Sequence, residues 1–309
     1  MEARLSPGLP RDDVWANMPL HQGGTGMSNI DINIDHIERD LSFINVVNPA
    51  PKRLTTAQIA HYNTEGYIRP LRVFDAAGAA ANRAYFDNMM AQIQAMNDGR
   101  DQYAINGYHT RCQAIYDIVI NPFILDCIED LIGPNIVAWG THFFCKLPHD
   151  PKKVPWHQDA SYWPFDRSRT VTVWLAIDDA DEDNAAMQFI PGTHRMGHLQ
   201  WKNTQGPAVL NQEIVGAEQF GKPVFDSLKA GEMSLHADML AHGSEPNVSA
   251  RRRCGLTIRY CPPEVHALTD WNKNSILCRG HDPAGHWGHQ LRPSGEDLAP
   301  MVWQRKGDA

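Results

Sequence analysis

Trp156-His157-Gln158-Asp159 is the segment of this chain with the clearest capacity for chemistry. With one residue between them, an imidazole and a carboxylate at a strand end point to the same side, so two metal ligands come from one short stretch. A third nitrogen ligand from a distant strand would complete a set of two histidines and one carboxylate. Such a set occupies one face of an octahedron and leaves the opposite positions open for O2 and a bidentate cosubstrate. A surface histidine beside an aspartate also arises by chance, so the context of His157 and Asp159 decides. His242 is the preferred third ligand. It stands in His242-Gly243-Ser244-Glu245-Pro246-Asn247, where Gly and Pro mark a turn, and Arg251-Arg252-Arg253 follows before another strand. If that strand runs beside the ligands, Arg253 could pair bidentately with a dicarboxylate whose other end chelates the metal. Arg251 and Arg252 read as solvated surface charges. His236, opening His236-Ala237-Asp238, competes with His242 but lacks an arginine at suitable spacing. The run from His281 through His286 to His289 could bind zinc in principle, yet it is short and holds no cysteine. His142, His149, His194 and His198 read one by one as core, turn or surface histidines.

Helices precede strands in this chain. Thr55-Thr56-Ala57-Gln58 is a helix start, and Gly66 stops it after Ile59 and Tyr62. Phe86, Met90 and Ile93 recur at helical period between Ala77 and Met96, with Met89 and Met90 as core filler. A third helix is expected from Pro122 to Ile132, ended by Gly133-Pro134. From Ile136–Lys146 onward the text is β-branched and aromatic. Thr170–Ile177 alternates with period two, and Met187–Ile190, Glu232–His236 and Leu256–Cys261 continue as short strands. The fold class expected is α+β with a mainly β core of jelly-roll or barrel type. Residues 1–53 read as an arm or wrapping segment. Residues 54–309 read as one domain, with a helical part over 54–133, a β core over 134–265 and a C-terminal extension over 266–309. The stretch from Gly197 to Leu228 lacks a clear period and reads as a long loop over the site.

The formal charge of −8 and the scattered basic residues exclude a polyanion-binding stripe, so nucleic acid is not an expected partner. Six cysteines without a CxxC pair fit reduced thiols, and no apolar stretch approaches a membrane span; a soluble cytoplasmic protein is the expectation. Lys152-Lys153 reads as a solvated loop. No feature sets the oligomeric state.

Taken in order, the motifs resemble the phytanoyl-CoA dioxygenase family of Fe(II)/2-oxoglutarate oxygenases over roughly Leu54 to Cys261. The resemblance rests on Leu54-Thr55-Thr56-Ala57-Gln58 with Gly66-Tyr67, and on His157 through Phe165. It rests also on Trp174-Leu175-Ala176-Ile177-Asp178-Asp179, on Pro191-Gly192-Thr193-His194, and on His242-Gly243-Ser244 with Arg253 eleven positions after His242. It implies a double-stranded β-helix, a cupin-like jelly roll, with N-terminal helices packed outside. It implies Fe(II) held by His157, Asp159 and His242, with 2-oxoglutarate gripped by Arg253 and Ser244 beside Trp174 and His142. Asn184-Ala185 departs from the family's usual Asn-Gly and bears on a turn. Related halogenases carry Ala or Gly where Asp159 stands, so the resemblance implies hydroxylation of an unactivated C–H bond, with succinate and CO2 as coproducts. The substrate expected is a small molecule of acyl-CoA, amino-acid or secondary-metabolite type. Trp163, Tyr108 and His109 are the candidate substrate wall. The rival reading is a cupin-like metal-binding isomerase or sensor without oxygen chemistry, and Arg253 is the residue that discriminates.

Overall fold

The structure, a computed structural model, describes Ile34 and residues 37–300. Most of the expected arm therefore lies outside the described residues. Its last part wraps the domain: Arg39 Nη1 donates to the carbonyls of Ala160 and Trp163 at 2.7 and 2.9 Å. The chain then reaches the first helix across a buried carboxylate. Asp130 accepts the backbone N–H groups of Lys52, Arg53 and Leu54 at 2.7, 2.8 and 2.8 Å, which satisfies donors that burial would otherwise penalise.

Helix α1 (Thr56–Glu65) is capped by Thr55, whose side chain accepts from Gln58 N while Gln58 answers the Thr55 N–H. Gly66 ends it at φ 89°, where a side chain would be strained. Strand β1 (Tyr67–Arg72) and helix α2 (Ala76–Ala95) follow, then α3 (Gln113–Val119) and α4 (Pro122–Ile132). Pro122 opens α4 behind an Asn121 cap, as its missing N–H allows. The strands after α4 are β2 (Ile136–Lys146), β3 (Val154–His157), β4 (Val171–Ala176), β5 (Gln188–Phe189), β6 (Trp201–Asn203) and β7 (Gln212–Ile214). They continue with β8 (Val224–Phe225), β9 (Glu232–Ala237), β10 (His242–Ser244), β11 (Arg253–Cys261) and β12 (Ile276–Arg279).

Two antiparallel sheets build the core. One has the order β1-β9-β4-β11-β2-β12, the other β3-β10-β5-β8. The helices cover the outer face of the larger sheet, where Cys254, Leu256, Ile258 and Tyr260 of β11 join Ile93 and Ile128 in one cluster. Each of the Leu and Ile side chains contributes about 1.5–3 kcal/mol through burial. Across the sheet, the alternate residues of β11 face the smaller sheet and leave a cavity between the two layers. Among the described residues no helix is long and apolar enough to cross a membrane.

The structure differs from expectation at two places. The stretch 197–228 is not a structureless loop: it carries the β6–β7 hairpin, and β8 completes the smaller sheet beside β5. Strands of two or three residues are too short to display a period, which hides them from sequence patterning. Strand β11 begins at Arg253 rather than Leu256, because Arg253 and Gly255, both facing the cavity, break the apolar alternation.

One buried acid gives the fold a pH dependence. Asp226, wholly buried after β8, accepts Ser234 Oγ at 2.6 Å, and its nearest cation is Arg69 at 3.9 Å. Burial pushes its carboxyl from 3.8 up to about 7, against the opposing pulls of Ser234, Arg69 and Arg253. A pKa raised by folding means the native state holds the proton more tightly. The stabilisation is full below the unfolded value and is lost as pH rises through 7. From this group alone the protein should be on the order of 1 kcal/mol less stable at pH 8 than at pH 6. Urea unfolding at the two pH values should show that loss in the parent and a much smaller one in Asp226→Asn; equal losses would contradict it.

Candidate functional site

Strand β10 pairs antiparallel with β3, placing His242 directly opposite His157. That register needs Gly243, since a Cβ there would lie 2.9 Å from the Val154 carbonyl oxygen. Just past the end of β3, the turn over Asp159–Ser161 swings the carboxylate back beneath the two rings. His157 Nε2 and His242 Nε2 stand 3.6 and 3.9 Å from Asp159 Oδ1, and the ligand atoms all lie within 4.8 Å of one another. Among the described residues this is the one group of three that could close around an ion.

The hydrogen bonds of the imidazoles are set for ligation. His157 Nδ1 donates to the Pro155 carbonyl and His242 Nδ1 to the Leu240 carbonyl, each at 2.8 Å. A carbonyl only accepts, so each ring carries its proton on Nδ1 and turns a lone pair on Nε2 toward Asp159. Burial, followed by the neighbouring His157, holds the pKa of His242 well below the usual imidazole range, so it stays neutral. Burial acts to raise the Asp159 pKa, yet the facing imidazoles of His157, His236 and His242 and the Arg259 guanidinium outweigh it. The carboxyl is held well below its usual range and stays ionised. Its other oxygen, Oδ2, accepts from Thr172 Oγ1 at 3.1 Å. His236 lies on that side too, with Nε2 3.7 Å from Oδ2, and is not part of the three-ligand group.

Arg253 lines the same cavity. Its Nε donates to the Ala185 carbonyl at 3.1 Å and its Nη2 to Ser244 Oγ at 3.0 Å, while Cζ sits 5.6 Å from the centroid of the Trp174 ring. Trp174 lies flat over Gly255, where a Cβ would collide with the indole. Among the described residues no carboxylate pairs with Arg253, although it is 2% exposed. A buried guanidinium left without a counter-charge costs several kcal/mol, and a bound anion relieves it.

The other expected residues fall elsewhere. His142 lies on the cavity-side face of β2 opposite Thr257, but its Nε2 is tied to the Tyr103 carbonyl at 2.6 Å and its ring packs on Phe144. Phe144, not His142, lines the cavity. Tyr108 and His109 are not brought into it. Tyr108 is sealed in the helical core, and His109 Nε2 bonds the Asn274 carbonyl at 2.9 Å, because the short helix carrying both turns them inward under the domain. Trp163 packs on Trp139 just beyond the cavity end. In the His281–His289 run, His289 pairs with Asp282 at 3.1 Å and His286 accepts the Ala267 N–H, so the three rings do not converge. Thr172, Thr257 and Arg259 also line the cavity, and no motif marks them. The signal that finds the last two is strand period: they stand in phase with Arg253 along β11.

The fold and site together define a two-sheet jelly-roll protein with a candidate centre of two histidines and one carboxylate. The profile of the phytanoyl-CoA dioxygenase family matches residues 62–255, and the chain belongs to that family. It is 29% identical over 156 residues to peroxisomal phytanoyl-CoA dioxygenase of Bos taurus, covering 48% of this chain and 46% of that protein. It is 27% identical over 164 residues to a probable alpha-ketoglutarate-dependent hypophosphite dioxygenase of Stutzerimonas stutzeri, covering 52% of this chain and 57% of that protein. The chain thus spans about half the length of these relatives. The solved structure of the non-heme monooxygenase ThoJ in its apo form is 26% identical, with a TM-score of 0.66 over 77% of this chain and 88% of that one.

Proposed function

We propose that this protein is an Fe(II)/2-oxoglutarate-dependent dioxygenase that hydroxylates an unactivated C–H bond of a small molecule, on a double-stranded β-helix. The observation that carries the reading is the pairing, in one cavity, of the His157–Asp159–His242 group with a buried Arg253 that has no carboxylate partner among the described residues. Two imidazoles and one carboxylate suit a divalent first-row metal with open positions, so the residues fit iron. When bound, that iron supplies O2-driven decarboxylation of 2-oxoglutarate: C–H, 2-oxoglutarate and O2 become C–OH, succinate and CO2.

The chain's own residues divide the remaining work. Arg253 and Ser244 receive the far carboxylate of 2-oxoglutarate, and Trp174 forms the wall that keeps that ion pair dry. The backbone carbonyls of Pro155 and Leu240 hold the ligand tautomers, and Thr172 steadies Asp159 through its Oδ2. The enclosing sheets exclude water from the reacting bond. A carboxylate at position 159 favours hydroxylation, because it fills the site a halide would need. Residues 54–309 act as one catalytic domain on this reading, and the free cysteines suit a reducing compartment.

Anaerobic reconstitution with Fe(II), followed by addition of 2-oxoglutarate and then air, tests the reading. One equivalent of iron, saturable 2-oxoglutarate binding and release of succinate are expected. Iron binding without any 2-oxoglutarate binding would instead favour a cupin-like metal protein.

A further inference from the structure

Six residues along β11 from Arg253, a second buried guanidinium lacks a carboxylate partner among the described residues. Arg259 is 6% exposed, lines the cavity, and has neither Nε nor Nη1 hydrogen-bonded among the described residues. No carboxylate stands within 4.0 Å of it there; Asp159 attracts it from farther off, and the proposed metal would offset that charge. Its carbon Cζ lies 5.7 Å from the Trp139 ring centroid and 5.5 Å from that of Trp163. Ring faces attract a cation but accept no strong hydrogen bond. The indole N–H of Trp139, itself 3% exposed, is unpartnered as well. Buried donors are satisfied in nearly every protein structure, so several orphans in one place point to a missing acceptor.

The backbone explains how they meet. Along the β11–β2 ladder Arg259 faces Gly140, while the next pair is Tyr260 with Ala138, so Trp139 is the extra residue of a bulge. A bulge re-aims a side chain. Gly140, having no side chain, leaves the guanidinium uncovered on that side, where a Cβ would touch Nη1 at 3.8 Å.

We propose that Arg259 and the Trp139 indole N–H bind an oxyanion of the substrate, a carboxylate or phosphate. The inference rests on the oxygenase reading and adds its substrate class. Arg253 and Arg259 are six residues apart on one strand, roughly 20 Å at about 3.3 Å per residue. Both line the cavity that holds the candidate metal ligands, so cosubstrate and substrate are each held by their own arginine.

The test uses full-length protein under argon with Mn(II) and saturating 2-oxoglutarate, which occupies Arg253. Phenylacetate, hexanoate and phenyl phosphate are titrated calorimetrically against phenylacetamide and hexanamide. At least one anion should bind tenfold or more tightly than its neutral counterpart. Arg259→Gln should abolish that preference while leaving 2-oxoglutarate affinity unchanged. Trp139→Phe, which keeps a ring and removes the N–H, should weaken the anion several-fold. Binding of amides as well as anions, anion binding that survives Arg259→Gln, or no anion binding while 2-oxoglutarate still binds would each overturn the inference. Should Arg259→Gln not fold, Arg259→Lys must retain the anion preference at reduced affinity, and its loss there would also overturn it. Failure of 2-oxoglutarate itself to bind would count against the oxygenase reading instead.

Discussion

Arg253→Ala should bind 2-oxoglutarate at least 100-fold more weakly than the parent, while still taking up one equivalent of Fe(II). Removing one partner of a buried charge pair costs roughly 3–5 kcal/mol, and about 1.4 kcal/mol is a factor of ten, so roughly two to three and a half decades of affinity are at stake. The dicarboxylate would then meet only Ser244 and the Trp174 face. Arg253→Lys should recover part of the loss, since an ammonium restores charge but not the planar fork that engages both carboxylate oxygens. Calorimetry under argon measures it. An unchanged affinity in Arg253→Ala would remove the observation on which the proposed activity stands.

His157→Ala is expected to lose metal and cosubstrate together. With two ligands left, Fe(II) affinity should fall by well over the 10–100-fold seen when a ligand's supporting hydrogen bond is removed. Succinate formation should drop to background. His236→Ala is the matched control. Its ring faces Asp159 Oδ2 rather than the Oδ1 shared by His157 and His242, so iron stoichiometry should survive. Loss of iron in His236→Ala with retention in His242→Ala would move the third ligand to β9. The two arginine and histidine variants thus separate the site's halves: one keeps the ion and loses the acid, the other loses both.

How much of this was legible in the sequence depends on whether a feature is local. The short spacing of His157 and Asp159, the capping box at Thr55, and the Pro122 start and Gly133 stop of α4 are written in neighbouring residues, and the structure has them where the pattern puts them. Arg253 was reachable because it follows His242 on the next strand. Strands β8 and β10 were not, since two or three residues cannot show a period. Nor was the Trp139–Arg259 meeting, which depends on a bulge between segments 120 residues apart in sequence. Tyr108 and His109 misled for the opposite reason. An aromatic and an imidazole side by side suggest a binding wall, but the turn that carries them buries both.

Strand β11 is paired along both edges, with β2 on one side and β4 on the other. Its phase is therefore locked. Inserting or deleting one residue between Arg253 and Arg259 would exchange the cavity set, Arg253, Gly255, Thr257 and Arg259, for Cys254, Leu256 and Ile258 beyond the change. It would drive a guanidinium into the helical core and turn apolar side chains toward the ligands. Length variation is closed to this strand, so new specificities can arise there only by exchanging one side chain for another in place.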